Sequence, residues 1–527
     1  MENNTKRRDF LMFLGKSAAL LALNPSLASS ANFHNDSVLI SLPSTNEDIF
    51  KVIPSFSWDL LIKWGDQINK KEYFGFNNDF IGVVALNDKE LLMWVNHEYV
   101  HPVLVSGHVI DENFIRKTKE QATKEMESVG GSILHLKKEN DQWKLITDSK
   151  YNRRINAFTK IPFTGNHLIK GQSFAVGTLG NCAGGVTPWN TFLSCEENYH
   201  NFFGETDYDK ENKPTKKNAD WVMGWDIYYD HPTEHYGWVV EINPLTAEAK
   251  KHINLGRFAH EGATCVTTKN GKVVVYMGED KNDGCFYKFV SEKSNNLDAG
   301  VLYVANLEKG KWIPLMRDSH PELKKRFKSQ LEMLVRCSEA AQIAGGTKLD
   351  RPEGCTIDPE TRAIYLNCTN NIPKDRPFGS IHKFVEKNDF DSLEFSSSVY
   401  LLGGELSGIA CPDNIAIDRK GNLWITSDMS EDKIGKDPYK KFGNNALFYV
   451  PTKGTHAGEA FKVAQAPIDA ELTGPCFSPD GKTLFLSVQH PGGSSKYIDK
   501  LTSHWPEGGN NIPKPSVVAI KFPSELI

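Results

Sequence analysis

The sequence predicts an all-β protein, a six-bladed β-propeller with helical insertions over one face. Three observations carry that prediction. One hairpin pattern recurs six times, a third strand-like run follows each copy, and glycine and proline punctuate short apolar runs throughout. Forty-one glycines and 26 prolines in 527 residues favour strands and turns over long helices. With 39% hydrophobic and 24% charged residues the composition is that of a globular chain able to form a large core. Length alone suggests about three domains, but all-β folds often run long as one unit.

The chain begins with Lys6-Arg7-Arg8-Asp9-Phe10-Leu11, continues through a modestly apolar run to Leu23, and reaches small residues around Ala28. A basic start, a short apolar middle and a small-residue end describe an export signal. Paired arginines before Phe-Leu point to the twin-arginine machinery. A membrane anchor is the competing reading, but the run is short and broken by Gly15 and Lys16. The expectation is a cleaved signal over residues 1–28 and one propeller domain over 31–527. The mature protein is then periplasmic or secreted, monomeric, and without stable membrane anchoring. A formal net charge of −5 gives no global reason to expect nucleic acid as a partner.

The six hairpins, in chain order, are NDFIGVVALNDKELLMWVNHE (78–98), CAGGVTPWNTFLSCEE (182–197), EGATCVTTKNGKVVVYMGED (261–280), EGCTIDPETRAIYLNCT (353–369), DNIAIDRKGNLWITSD (413–428) and TGPCFSPDGKTLFLSV (473–488). The third strands are expected at 131–136, 237–242, 284–289, 379–384, 445–450 and 515–520, with fourth strands at 142–146 and 458–463. Repeats of about 40–50 residues with four strands each are the propeller signature. SVLISL (37–42) is expected to supply a missing outer strand and close the ring. A pair of unrelated β-sandwiches is the alternative. Insertions at about 99–128, 199–235 and 308–350 break the period, the first and third with helical patterning. They are read either as covers for a ligand-binding face or as plain solvated helices.

Aligning the hairpins places Cys182, Glu261, Glu353, Asp413 and Thr473 at one position, with Asn78 or Asp79 in the first copy. The ends of the second strands give another set: Glu98, Glu196 with Glu197, Glu279 with Asp280, and Asp428. Innermost strands of a propeller surround its axis, so these side chains converge. Two bare carboxylates ~4 Å apart repel by about 4 kcal/mol at an effective dielectric of 20. Either their pKa values rise or cations neutralise them. Oxygen-rich clusters suit calcium or magnesium, whereas a Cys182 thiolate selects a softer transition metal. A metal cluster on the axis follows, although each acid alone reads equally as a turn residue or ion-pair partner. Arg351, two residues before Glu353, suits phosphate through its planar fork, or an ion pair with a nearby acid. His97 and His260 each precede a glutamate and read as core histidines before ligands. No GxxxxGK[ST] or GxSxG occurs between a strand and a helix, which argues against nucleotide hydrolysis and an α/β-hydrolase triad. Nine cysteines form no close CxxC pair; an oxidising compartment would allow disulfides among them, the odd count leaves at least one unpaired, and the sequence does not fix any pairing.

NCAGGVTPWNTFLSCEEN (181–198), HEGATC (260–265), RPEGCTID (351–358) and CPDNIAID (411–418), behind a twin-arginine signal, resemble the PhoX-type alkaline phosphatases from about Trp94 to His490. The resemblance implies a six-bladed propeller that hydrolyses phosphate monoesters outside the cytoplasm to scavenge phosphate. It implies a cluster of two ferric irons, Fe(3+), and calcium ions, Ca(2+). Carried over by position, Cys182 looks like the iron ligand, Glu261 and Glu353 like metal-bridging acids, and Glu98, Glu197 and Asp413 like further ligands. Arg351 looks like a phosphate contact, so that Arg351, Cys182 and Glu353 are the candidate catalytic residues. The competing functions are a calcium-dependent propeller lactonase or phosphotriesterase, which needs no thiolate, and a binding propeller with structural ions and no turnover.

Overall fold

A computed structural model describes residues 40–109, 115–523 and 526. The expected signal at 1–28 and the first part of SVLISL lie outside the described residues. Six antiparallel sheets follow the six hairpins. Their innermost strands are Asn78–Asn87, Asn181–Val186, His260–Thr267, Pro352–Ile357, Pro412–Ile417 and Glu471–Phe477. Each packs against the next and the sixth packs against the first, so the ring is closed. All six third strands form where expected, from Gly130–Glu139 to Ser516–Lys521. Most of the core is apolar packing between neighbouring blades. Trp94, Phe192 and Val240, for example, join blades one and two, and Tyr365, Ile381 and Phe448 join blades four and five.

Closure differs from the sequence expectation. The outer strand of blade six is Ser57–Lys63, paired with Ser516–Lys521, and Lys51–Val52 edges blade five. Residues 40–42 form no strand. SWDLLIK is exposed or half-buried at every position but Ile62, so its apolar signal is weak, whereas SVLISL is the more apolar run. Pairing to a free sheet edge decided the matter.

The insertions fold on one another and onto blades two and three. Helix Lys119–Ser128 starts with a capping box in which Thr118 Oγ1 accepts from Gln121 N–H and the Gln121 side chain accepts from Thr118 N–H. Its Ala122 and Met126 join Phe202, Phe203 and Trp225 from the second insertion in one apolar cluster. The third insertion forms helices Pro321–Arg326, Gln330–Val335 and Cys337–Ile343, which bury Leu323, Met333, Leu334 and Ala340 against blades two and three. No described helix is long and apolar enough to cross a membrane. All nine cysteines are free thiols and none is paired in a disulfide; six of them are buried in the core.

Candidate metal centre

Every innermost strand carries a register shift at its axial end, between Asn78 and Ile81, Asn181 and Gly184, Glu261 and Thr264, Pro352 and Cys355, Pro412 and Ile415, and Thr473 and Cys476. Such bulges bend a strand and re-aim its side chains. The residue just before the strand is left-handed in four blades: Asn77, Gly180, Arg351 and Cys411. Glycine after the acid has a steric reason at Gly354, where a Cβ would stand 2.5 Å from Asp413 O. Together these devices turn the start of each inner strand into a cavity of about 160 Å³ on the axis.

All six expected metal ligands line that cavity, and they fall into three linked donor groups. Asp79, Glu98 and Cys182 form the first, Cys182, Glu197 and Glu261 the second, and Glu261, Glu353 and Asp413 the third. Within each group one donor atom per residue lies within 4.8 Å of the others. Cys182 and Glu261 join them into a row. Asp79, rather than Asn78, is the axial residue of blade one; the Asn78 amide donates instead to Ser516 O. In the second set Glu98, Glu197, Asp280 and Asp428 face the cavity. Glu196 and Glu279 point away, Glu196 to Lys251 and Glu279 to Tyr287 and Lys281. Thr473 is not among the residues that line the cavity; the acid that blade six contributes is Glu471, two residues earlier.

The donor set fits cations. Both carboxylate oxygens of Glu261 are buried without a hydrogen bond from any described residue, as is Oδ1 of Asp79. Burial and the neighbouring Asp79 push Glu98 up to about 8, and burial raises Asp79 to about 6. Burial likewise holds Glu197, Glu261, Glu353, Asp413 and Glu471 well above the carboxylate range, with repulsion between them adding to it. The Cys182 thiol, which donates to Asp79 Oδ2 at 3.1 Å, is raised by burial and by four surrounding carboxylates. At neutral pH, added positive charge returns these groups to the anionic forms that bind metal.

Arg351 brings the guanidinium of the site. Its Nε and Nη2 donate to the two Asp280 oxygens at 2.7 and 2.8 Å, Nη2 lies 3.0 Å from Glu353, and Nη1 stands 3.8 Å from Asp428. Asp280 is therefore held below its usual value despite its burial. The backbone of Arg351 sits at φ +54°, a conformation that a non-glycine residue keeps only where its surroundings enforce it.

Several cavity residues carried no signal in the hairpin alignment. Gln489 donates to Glu98 at 2.8 Å and to Asp79 at 3.2 Å, and Asn198 donates to Glu197 at 2.7 Å. His490, at φ +37°, places Nε2 3.5 Å from Glu471 while its Nδ1 bonds Asp469 O. His97 and His260 are core residues: His97 bonds Phe76 O and Ser132, and His260 bonds Gly256 O.

The sequence profile described as "Alkaline phosphatase PhoX" matches residues 39–492. Among solved structures, PhoX of Pseudomonas fluorescens in complex with vanadate, a transition state analogue, is 27% identical with a TM-score of 0.81, covering 92% of this chain and 98% of that one. Weaker likenesses include a gluconolactonase of Xanthomonas campestris (9% identity, TM-score 0.34, 92% and 99% covered). A Penicillium chrysogenum α-L-arabinanase is similar at 10% identity and TM-score 0.38, with 89% and 99% covered. No curated relative matches the chain.

Proposed function

The chain belongs to the alkaline phosphatase PhoX family, and from that premise we propose that it is an exported hydrolase of phosphate monoesters that releases inorganic phosphate. The observation that carries this reading is the row of three donor groups joined through Cys182 and Glu261, with Arg351 at its rim. We assign Glu98, Cys182, Glu197, Glu261, Glu353 and Asp413 to ferric iron and calcium, the thiolate to iron and the carboxylates to both. Bound cations supply the charge that holds and polarises phosphoryl oxygens.

The chain's own residues do the rest. Arg351, oriented by its bidentate bond to Asp280, presents Nη1 to the cavity and grips phosphate oxygens. Gln489 and Asn198 fix Glu98 and Glu197 so that the donor row keeps its shape in the absence of ligand. Buried walls exclude bulk water and strengthen these contacts. Nine free thiols suit folding in a reducing cytoplasm before twin-arginine export of the folded protein, which supports that route.

The test uses the natively exported full chain: metal content by element analysis, hydrolysis of p-nitrophenyl phosphate, and inhibition by vanadate. Hydrolysis that vanadate blocks is expected; a metal-replete protein that cleaves no phosphomonoester refutes the reading. Arg351→Lys keeps the charge and loses the fork. It should keep its metals, lose about 2–4 kcal/mol in kcat/KM, and bind product phosphate more weakly. Loss of metal in this variant would make Arg351 a scaffold for Glu353 instead.

A further inference from the structure

The second and third insertions enclose another cavity, of about 520 Å³, beside the axial one. The hairpin Glu205–Tyr208 with Pro214–Lys217 forms one wall, and helices Gln330–Val335 and Cys337–Ile343 form the other. Asp280 lines both cavities. Its carboxylate holds Arg351, and its backbone N–H donates to the carbonyl of Ala259, which lines the second cavity. The preceding residue, Glu279, faces the second cavity only. Neither the donor row nor the guanidinium chemistry uses this space.

The charges of its wall are matched within it. Arg257 pairs with Glu205 at 3.0 Å, Lys217 with Asp207 at 2.6 Å, Lys281 with Glu279 at 2.9 Å and Arg336 with Glu339 at 2.6 Å. A second phosphate or a polyphosphate tail needs unpaired cations, and these are engaged. Aromatic rings are engaged too: Tyr199 lies under Arg257, Tyr208 under Arg336, and Phe258 against His260 and Tyr287. What remains is a wall rich in guanidinium and ammonium N–H groups and carboxylate lone pairs with little net charge, the surface that hydroxyl groups match. Its volume lies within the range of small-molecule sites.

We propose that this cavity is the leaving-group subsite and that it takes the neutral, hydroxyl-rich organic part of a phosphate monoester, a sugar or polyol. The proposal rests on the phosphatase reading above. The phosphoryl group occupies the axial cavity and the ester oxygen crosses beside Asp280. Hydrolysis breaks the ester P–O bond, water supplies the new oxygen on phosphorus, and a proton from that water ends on the departing alcohol.

Ser338 lines this cavity and not the axial one, and its hydroxyl accepts from Lys281 Nζ. Ser338→Trp in the full chain fills the space, and Gln342→Trp does so from the exposed rim. The measurements are kcat/KM and equilibrium binding by calorimetry with glucose 6-phosphate, methyl phosphate and ATP. Wild type should prefer glucose 6-phosphate over methyl phosphate by roughly tenfold, the scale of one or two net hydrogen bonds, and should disfavour ATP. Either variant should lose the preference and handle methyl phosphate as wild type does. No preference in wild type, a preference that survives both substitutions, or a preference for ATP overturns the subsite. If wild type binds these esters and cleaves none, the phosphatase reading fails, and the binding preference alone still decides the subsite.

Discussion

Glu196 and Glu261 are both fully buried carboxylates of this propeller, one beside blade two and one on the axis, and they are treated in opposite ways. Glu196 lies 2.6 Å from the Nζ of Lys251, itself fully buried, and also accepts from Thr178, Gly237 N–H and Trp238 N–H. Lys251 also donates to His235 O and lies over the Tyr236 ring. The same arrangement recurs away from the axis, where Glu386 pairs with Lys288 at 3.1 Å and Glu125 with Lys117. Glu261 has no such partner, and its neighbours are Cys182, Glu197, Glu353 and Asp413. Where a buried acid is structural, the chain provides the cation. On the axis it gathers acids around one arginine, so the balancing charge must come from outside. An unpaired buried carboxylate costs several kcal/mol, and a row of them persists because the folded protein binds something that offsets them.

The largest effect expected from this contrast is that of removing cations. Exhaustive chelation should abolish phosphomonoester hydrolysis and lower the Tm, since bound ions stabilise only the folded state. Full activity after verified metal loss would end the parallel between axial acids and guest cations. Breaking the self-sufficient side comes next. Lys251→Met strands Glu196 and should cost about 3–5 kcal/mol in urea unfolding of the metal-loaded protein, with metal content unchanged. A cost below about 1 kcal/mol would mean that the backbone donors satisfy Glu196 without its lysine.

How far the site was legible follows the same physics. Cys182, Glu261, Glu353 and Asp413 stand out in the sequence because each heads a hairpin whose alternation and turn residues are strong, and the fold brings all four together. Glu98 and Glu197, at the ends of second strands, were legible for the same reason. Glu471 was not, because the residue of blade six that aligns with the others is Thr473, and the acid sits one pleat earlier. A search at two-residue spacing would have found it. Gln489, Asn198 and His490 lie in or next to loops, where no period marks them. The closing strand Ser57–Lys63 was missed because an edge strand shows half of its surface to water and loses its apolar contrast. The choice at Arg351 between ion pair and phosphate contact could not be made from sequence, since one fork serves both; in the structure two of its nitrogens hold Asp280 while the third turns toward Asp428.

The pH dependence of the metal-free protein sharpens the contrast on a smaller scale. Glu98 titrates near 8 in the folded chain against an ordinary 4.5, and Asp79 near 6 against 3.8, so over that interval the folded state binds more protons than the unfolded one. Stability from these groups is complete below the ordinary values and is lost as pH rises through 6 and then 8. Glu241, away from the axis, runs the other way. Burial alone would raise it, but hydrogen bonds from His252, Thr191 and Trp189 bring it to about 2, so its contribution is present at neutral pH and lost only as pH falls from 4.5 toward 2. The metal-free protein should therefore lose Tm between pH 5 and 8, and the gap to the metal-loaded protein should widen over the same range, since cation binding requires the ionised acids. Glu261→Gln isolates one carboxylate. Its amide replaces a carboxyl that burial and Glu353 hold well above its ordinary value, so below that ordinary value, at pH 4, the Tm should be unchanged. At pH 8 wild type must either keep a proton that the unfolded chain gives up or bury a charge beside Glu353, and the metal-free variant, free of both, should be more stable than wild type by about 1 kcal/mol, the scale of an ordinary single substitution. Because Glu261 belongs to two of the three donor groups, the same variant should lose metal and activity. A variant less stable than wild type at pH 8 without metal would show that Glu261 has a partner within the chain, and the distinction from Glu196 would collapse.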